Sequence, residues 1–298
     1  MNLHGTVSVS GLGGNPYRDG SFEYYMSEPV IVNDPKGMGA FLKCAVEMEM
    51  LTTLPAGKGK TVLLDRFFNS EKRKDVAGKE VYWHYVWEEK SNPGFSFWGN
   101  IFERYGAKTA SLDVAPTADN LKNASVYIIV DPDHLKDNPN ANFLIPKNIN
   151  AISDWVSSGG VLILMANDSA NCELGRFNEL AKVFGLQFTD KNLNMVKNDV
   201  FEQGLVLPGN KNSVFQRTGK MYLKEISTLE LSGQAKAICT KDGDVIMAVS
   251  KFRKGTVFAV GDPWLYNEYV DGRKLPAEYE NYNAAVELVK WVLKAHKL

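Results

Sequence analysis

The chain predicts an α/β fold of three layers, with helices covering both faces of a parallel sheet. Two observations predict it. Three apolar runs, 126–130, 161–165 and 256–260, are rich in aliphatic and β-branched residues, the pattern of strands buried on both faces. Between such runs lie amphipathic stretches closed by Gly106, Gly159-Gly160 and Gly185, residues suited to the position just past a helix. Each apolar run also leads into carboxylates or amides: Asp131 and Asp133, Asn167 and Asp168, and Asp262. Ligands of open α/β sheets bind at the carboxyl ends of the strands, so a site is expected on that edge.

Residues 1–54 and 55–298 differ in texture and read as two domains. In the first, 5–10 and 22–26 read as strands of a small hairpin joined by the turn-rich segment 13–20. Asn33-Asp34-Pro35 then opens a helix to about Met50, with Asp34 as N-cap and Pro35 in the first turn. Met38, Phe41, Leu42, Ala45, Val46 and Met48 give that helix a broad apolar face that needs a partner. Residues 54–60, rich in Gly, Pro and Lys, read as a linker.

From Lys60 onward strand and helix alternate. Strands are expected at 61–65, 109–113, 126–130 and 161–165, and helices at 95–105, 117–123, 146–158 and 177–184. Repeated strand, crossover helix, strand argues for a right-handed parallel sheet of flavodoxin-like type. Residues 186–255 break the alternation. There 235–239 and 245–249, around the turn 241–244, predict a hairpin. A last strand at 256–260 and an amphipathic helix at about 278–295 complete the chain.

Composition narrows the partners. The 34 basic and 35 acidic residues nearly cancel, and neither sign forms a long run, which argues against nucleic acid or an anionic membrane surface. No apolar stretch approaches the ~18 residues needed to span a bilayer, and residues 1–5 lack a charged-then-apolar export signal. Cys44, Cys172 and Cys239 are widely spaced and read as buried free thiols, with no metal-ligand spacing. Gly11 and Gly13 precede Pro16 where a third glycine is needed, and 57–60 lacks Walker spacing, so neither phosphate-binding signature is met.

Two stretches resemble known families. Residues 5–25 (GTVSVSGLGGNPYRDGSFEYY) and 33–41 (NDPKGMGAF) look like the end of an unsaturated rhamnogalacturonyl hydrolase. Those glycoside hydrolases are (α/α)6 barrels that remove an unsaturated uronic acid from pectin fragments by hydrating its double bond. The resemblance implies that 1–54 is a C-terminal remnant of such a barrel. The family's general acid/base Asp and most sugar contacts lie upstream of the matched stretch, so no catalytic residue is carried over.

Residues from about 60 onward resemble the class I glutamine-amidotransferase-like domains appended to some such enzymes. The resemblance rests on 152–164 (ISDWVSSGGVLIL), 177–185 (FNELAKVFG) and 254–262 (KGTVFAVGD). Members with activity place a Cys nucleophile at a glycine-flanked elbow after a strand, with a later His-x-Glu pair. Here the comparable strand runs into 166–171 (ANDSAN), without the glycines or the Cys. The resemblance therefore implies an accessory, non-catalytic domain that needs no cofactor. It would support the barrel or a partner protein, or bind an acidic oligosaccharide, outside the cytoplasm if the full-length parent is exported.

The residues themselves leave three readings of the acidic edge open. Asp131, Asp133, Asn167, Asp168, Asp262, Asn267 and Glu268 could accept bonds from sugar hydroxyls, with Trp264 stacking on a sugar face. They could also shape turns and cap helices, or ligate a hard cation, although no calcium-loop spacing is present. An aromatic segment, 83–98, with His84 and Trp87, is expected to fold over the same edge. The rival chemistry is nucleophilic: Cys172 or Ser169 activated by His134, which requires hydrogen-bond reach.

Overall fold

The computed structural model describes residues 2–53, 56–209 and 212–296. It divides into two units, Met1–Leu54 and Pro55–Leu298. The first holds β1 (Thr6–Val7), α1 (Phe22–Ser27), β2 (Val30–Ile31) and α2 (Pro35–Thr53). This corrects the expected hairpin: β1 pairs antiparallel with β2, Thr6 opposite Ile31, and 22–27 is helical. Ser21 supplies the reason. Its hydroxyl accepts from the Tyr24 N–H at 3.1 Å, an N-cap that decides a run too short for its periodicity to separate helix from strand. Asp34 caps α2 in the same way, accepting from the N–H groups of Lys36 and Gly37. Phe41, Leu42, Val46 and Met48 remain exposed along α2.

The second unit contains β3 (Thr61–Asp65), β4 (Lys72–Lys74), β5 (Glu80–Tyr82), α3 (Ser96–Arg104), β6 (Lys108–Leu112), α4 (Ala118–Leu121), β7 (Val126–Val130) and α5 (Pro146–Ser157). It continues with β8 (Val161–Met165), α6 (Leu174–Val183), β9 (Leu186–Leu193), β10 (Leu205–Val206), β11 (Met221–Tyr222) and β12 (Ile226–Leu231). Last come β13 (Lys236–Lys241), β14 (Asp244–Phe252), β15 (Gly255–Val260), α7 (Asn267–Val270) and α8 (Asn281–Ala295). Of the expected linker, Leu54 and Pro55 lie outside the described residues. Gly57 belongs to this unit, its N–H donating to the Tyr105 carbonyl at 2.8 Å.

One nine-stranded sheet organises the unit. β6, β3, β7, β8 and β15 lie side by side in parallel, in the order 2-1-3-4-5 counted along the chain. Past β15 the sheet turns antiparallel through β14, β12 and β9, with β13 also paired to β14. The all-parallel sheet expected is thus corrected to a mixed one. The β13–β14 hairpin forms where its turn residues place it. Asp242 and Gly243 both adopt positive φ, 53° and 90°, as a two-residue turn matched to strand twist requires.

Alternation along the central strands builds two cores. Val126, Ile128, Val130, Ile163, Met165 and Phe258 face one side, covered by α3 and α8, while Tyr127, Ile129, Leu162, Leu164 and Ala259 face the other, covered by α5 and α6. Each fully buried large aliphatic side chain contributes roughly 1.5–3 kcal/mol over its exposed state, so β7 and β8, buried throughout, anchor the sheet. Gly261, just past β15, passes so near β12 that an added Cβ would lie 1.8 Å from the Ser227 carbonyl oxygen. Backbone cannot yield as a side-chain tip does. Gly261→Ala is expected to lower stability by about 2–3 kcal/mol or more, read as a shifted urea midpoint; an unchanged midpoint would refute the close approach.

Candidate functional site

The carboxyl ends of β3, β7 and β8 and the segment after β15 open on a cleft of about 1080 Å³. Arg66 and Phe67 reach it from β3, Asp131 from β7, Asn167 from β8 and Tyr266 from beyond β15. The segment after β5 adds Trp83, His84 and Tyr85, and the loop 136–142 adds an amide-rich wall that includes Asn138, Asn140 and Asn142.

Asp131 forms the most constrained part of this wall. The Tyr85 hydroxyl donates to Oδ2 at 2.7 Å, and the Asn167 amide donates to the same oxygen at 3.4 Å. The Asn69 amide donates to the Asp131 carbonyl at 2.7 Å. Oδ1 is buried and has no hydrogen-bond partner. With the residue only 7% exposed, burial pushes its carboxyl up to about 6 against the Tyr85 and Asn167 bonds that favour the ionised form. Tyr85 in turn lies 3.2 Å, hydroxyl to hydroxyl, from Tyr266.

Backbone strain converges on the same cleft. Asp131, His84, Tyr85 and Glu225 all hold left-handed φ, at 43°, 58°, 47° and 52°. Such conformations cost non-glycine residues about 1–3 kcal/mol each and concentrate where function requires a particular side-chain placement. His84 is further fixed by stacking on Trp83, with ring centroids 3.6 Å apart, and by Glu71 Oε2 at 3.2 Å from Nδ1.

The residues singled out from the sequence divide into two groups. Asp131, Asn167, His84 and Glu268 line the cleft, Glu268 paired with Lys274 at 3.3 Å. The others build the frame around it. Asp133 accepts from the Ser70 N–H at 2.9 Å and the Asn138 amide at 2.7 Å, tying two rim loops together. Asp168 shapes the turn after β8 by accepting from the N–H groups of Ala170 and Asn171. Asp262 accepts from the Lys224 N–H at 2.8 Å, and burial pushes its carboxyl well above the usual range. Asn267 stitches the segment before α3 to α7, donating to the carbonyls of Glu89 and Ser91 and accepting from the Phe97 N–H. Trp87 donates to the Ala110 carbonyl and packs on Trp98, while Trp264 is wholly buried against Phe215.

Among the described residues, no hydrogen bond joins His134 to the Ser169 hydroxyl or the Cys172 thiol. His134 Nε2 lies 3.3 Å from the backbone carbonyl oxygen of Ser169, and Cys172 is wholly buried, its thiol pushed well above the ordinary value by burial. None of the three is among the residues lining the cleft. Among the described residues, no group of three or more His, Cys, Asp or Glu is placed to hold a metal ion, and no helix is long and apolar enough to cross a membrane.

Sequence reasoning missed Glu71, Tyr266 and the asparagine wall. The amide-rich stretch 138–142 (NPNAN) was the available signal, and Tyr85 sat unremarked inside the aromatic segment.

Fold and cleft together define a mixed α/β unit with a polar crevice at the carboxyl edge of its sheet. No family model matches the chain. Protein Atu3128 of Agrobacterium fabrum (strain C58) and the 24.9 kDa protein in picA locus of Rhizobium radiobacter are each 45% identical to it over 51 residues, 16% of this chain. The match spans 22% of the length of these curated relatives. Among solved structures, the mmIFT52 N-terminal domain matches with a TM-score of 0.56 and 16% identity, covering 78% of this chain and 97% of that one. The cytoplasmic protein STM1381 of Salmonella typhimurium LT2 matches with a TM-score of 0.53 and 14% identity, covering 80% and 100%. These likenesses show the fold. Structural neighbours over part of the chain include glycoside hydrolases, such as the exo-beta-1,4-mannosidase Op5Man5 of Opitutaceae bacterium strain TAV5, with a TM-score of 0.39, 15% identity, and 68% and 31% coverage.

Proposed function

We propose that the second unit is a glycan-binding accessory module with no catalysis of its own, serving a rhamnogalacturonan-degrading unsaturated uronyl hydrolase to whose barrel residues 1–54 belong. The 2-1-3-4-5 order of the parallel strands supports a flavodoxin-like, amidotransferase-like ancestry for the module. One observation carries the binding reading. In the wall of a polar cleft, Asp131 keeps a buried acceptor oxygen, and Trp83 a buried indole N–H, without hydrogen-bond partners. Buried polar groups are otherwise nearly always satisfied, and sugar hydroxyls both donate and accept. The burial of the Cys172 thiol, which holds it in the protonated form, supports the absence of thiol chemistry.

The test uses the whole chain with rhamnogalacturonan oligosaccharides and an unsaturated uronyl disaccharide. Saturation-transfer NMR is expected to report bound sugar protons, with affinity falling about ten-fold in Trp83→Ala, while chromatography finds no cleavage product. Product formed at enzyme-like rates overturns the non-catalytic reading. Absence of saturation transfer to any oligosaccharide overturns the binding reading.

A further inference from the structure

Charge pairing around the cleft specifies what kind of sugar it takes. Every lysine and arginine lining it is already in an ion pair: Arg66 with Asp113 at 2.7 Å and Glu88 at 3.2 Å, Lys72 with Glu80 at 3.1 Å, Lys136 with Asp137 at 3.7 Å, and Lys224 with Glu225 at 3.5 Å. His84, the remaining basic group of the wall, sits on Glu71. Asp131 stands apart from this pattern. Its carboxylate accepts hydrogen bonds from the Tyr85 hydroxyl and the Asn167 amide, both neutral, the buried Cys172 thiol lies beside it, and Oδ1 accepts no hydrogen bond.

We infer that the cleft selects neutral, hydroxyl-bearing sugar residues and rejects uronates, with Asp131 as the discriminating group. The inference rests on the glycan-binding reading and assigns its ligand class. A uronate carboxylate entering the cleft meets no cation that is not already neutralised, and lies in the field of Asp131 and Glu71. Like charges brought together with partial loss of water are strongly unfavourable, and burial around Asp131 weakens the screening that would soften the repulsion. A hydroxyl in the same place is instead a donor to a carboxylate. The cleft thus complements the neutral residues of a mixed pectic chain, whereas its acidic residues are placed better outside.

The discriminating experiment compares two ligands differing only at C6. These are tetragalacturonate and the α-1,4-linked galactotetraose obtained from it by carboxyl reduction, each titrated calorimetrically into the full chain at neutral pH. The reduced ligand is expected to bind at least about ten-fold more tightly. Asp131→Asn keeps an acceptor for Tyr85 and suits the left-handed backbone, which Asn tolerates; it is expected to shrink the preference to less than about three-fold. Tetragalacturonate binding as tightly as its reduced form overturns the inference and leaves the glycan-binding reading intact. An undiminished preference in folded Asp131→Asn removes Asp131 from the role, and failure of both ligands to bind overturns the underlying reading itself.

Discussion

Trp264→Ala will cost the second unit about 3–5 kcal/mol of stability, the range for removing a fully buried large aromatic side chain. Trp264 is wholly buried, its ring set edge-on to Phe215 with centroids 6.2 Å apart, inside the core layer that also holds Met221, Tyr222 and Leu265. Truncation leaves a cavity that the nine-stranded sheet behind it cannot collapse to fill, because β15 is fixed on both sides by β8 and β14. The conservative replacement gives the opposite result. The Trp264 indole N–H is buried without a partner, and leaving such a donor unpaired costs about 1–3 kcal/mol. Trp264→Phe removes that donor while keeping most of the apolar area, and its stability should stay within about 1.5 kcal/mol of the parent. Urea denaturation of the three proteins measures both effects, and glycan affinity of the folded variants should be unaltered. If Trp264→Ala unfolded with the parent but lost sugar binding, the ring would belong to the cleft and the core assignment would be wrong.

Trp264 also illustrates what the sequence could and could not convey. The central strands were legible because five consecutive apolar residues in each of β7 and β8, four of them aliphatic in β7, have few other destinations than a sheet covered on both faces. The β13–β14 hairpin was legible through Asp242-Gly243. By contrast, β9 and β12 mix polar and apolar residues, and their pairing, with Phe188 opposite Leu229, joins segments far apart in sequence without a local signal. The same division runs through the site. That Asp131 and Asn167 would lie at strand ends follows from where the apolar runs stop. Which acidic residues face the cleft depends on donors both distant and local: the Ser70 N–H holds Asp133 by Oδ2, the Lys224 N–H holds Asp262, and the N–H groups of Ala170 and Asn171 hold Asp168. A position in the sequence gives a carboxylate its place on the edge; its neighbours in space decide whether it remains available to a ligand.

Asp65, at the end of β3, leads to the second large effect: Asp65→Asn should remove that residue's share of the dependence of stability on pH, with the buried Asp131 and Asp262 keeping theirs. The Asp65 side chain is buried beneath the sheet edge, its Oδ1 accepting from the N–H groups of Phe67 and Phe68 and its Oδ2 from the Tyr127 hydroxyl. These bonds favour the carboxylate, but burial outweighs them and pushes the carboxyl up to about 7. An unfolded Asp titrates near 3.9, so between about pH 4 and 7 the folded chain holds a proton that the unfolded chain has released. The folded state binds more protons in that window, and stability therefore falls as pH rises through it. The stabilising contribution is fully present below about pH 4 and lost by the time the pH has passed the folded value. Three pKa units correspond to roughly 4 kcal/mol. Asparagine keeps an acceptor for the two N–H groups, and its amide can donate to a reoriented Tyr127 hydroxyl, yet it carries no titrating proton. Chemical denaturation at pH 4.5 and pH 8 should therefore show the parent losing stability relative to Asp65→Asn as the pH is raised, with the variant the more stable protein at pH 8. Parallel stability curves for the two proteins across that range would mean that Asp65 is already ionised in the fold.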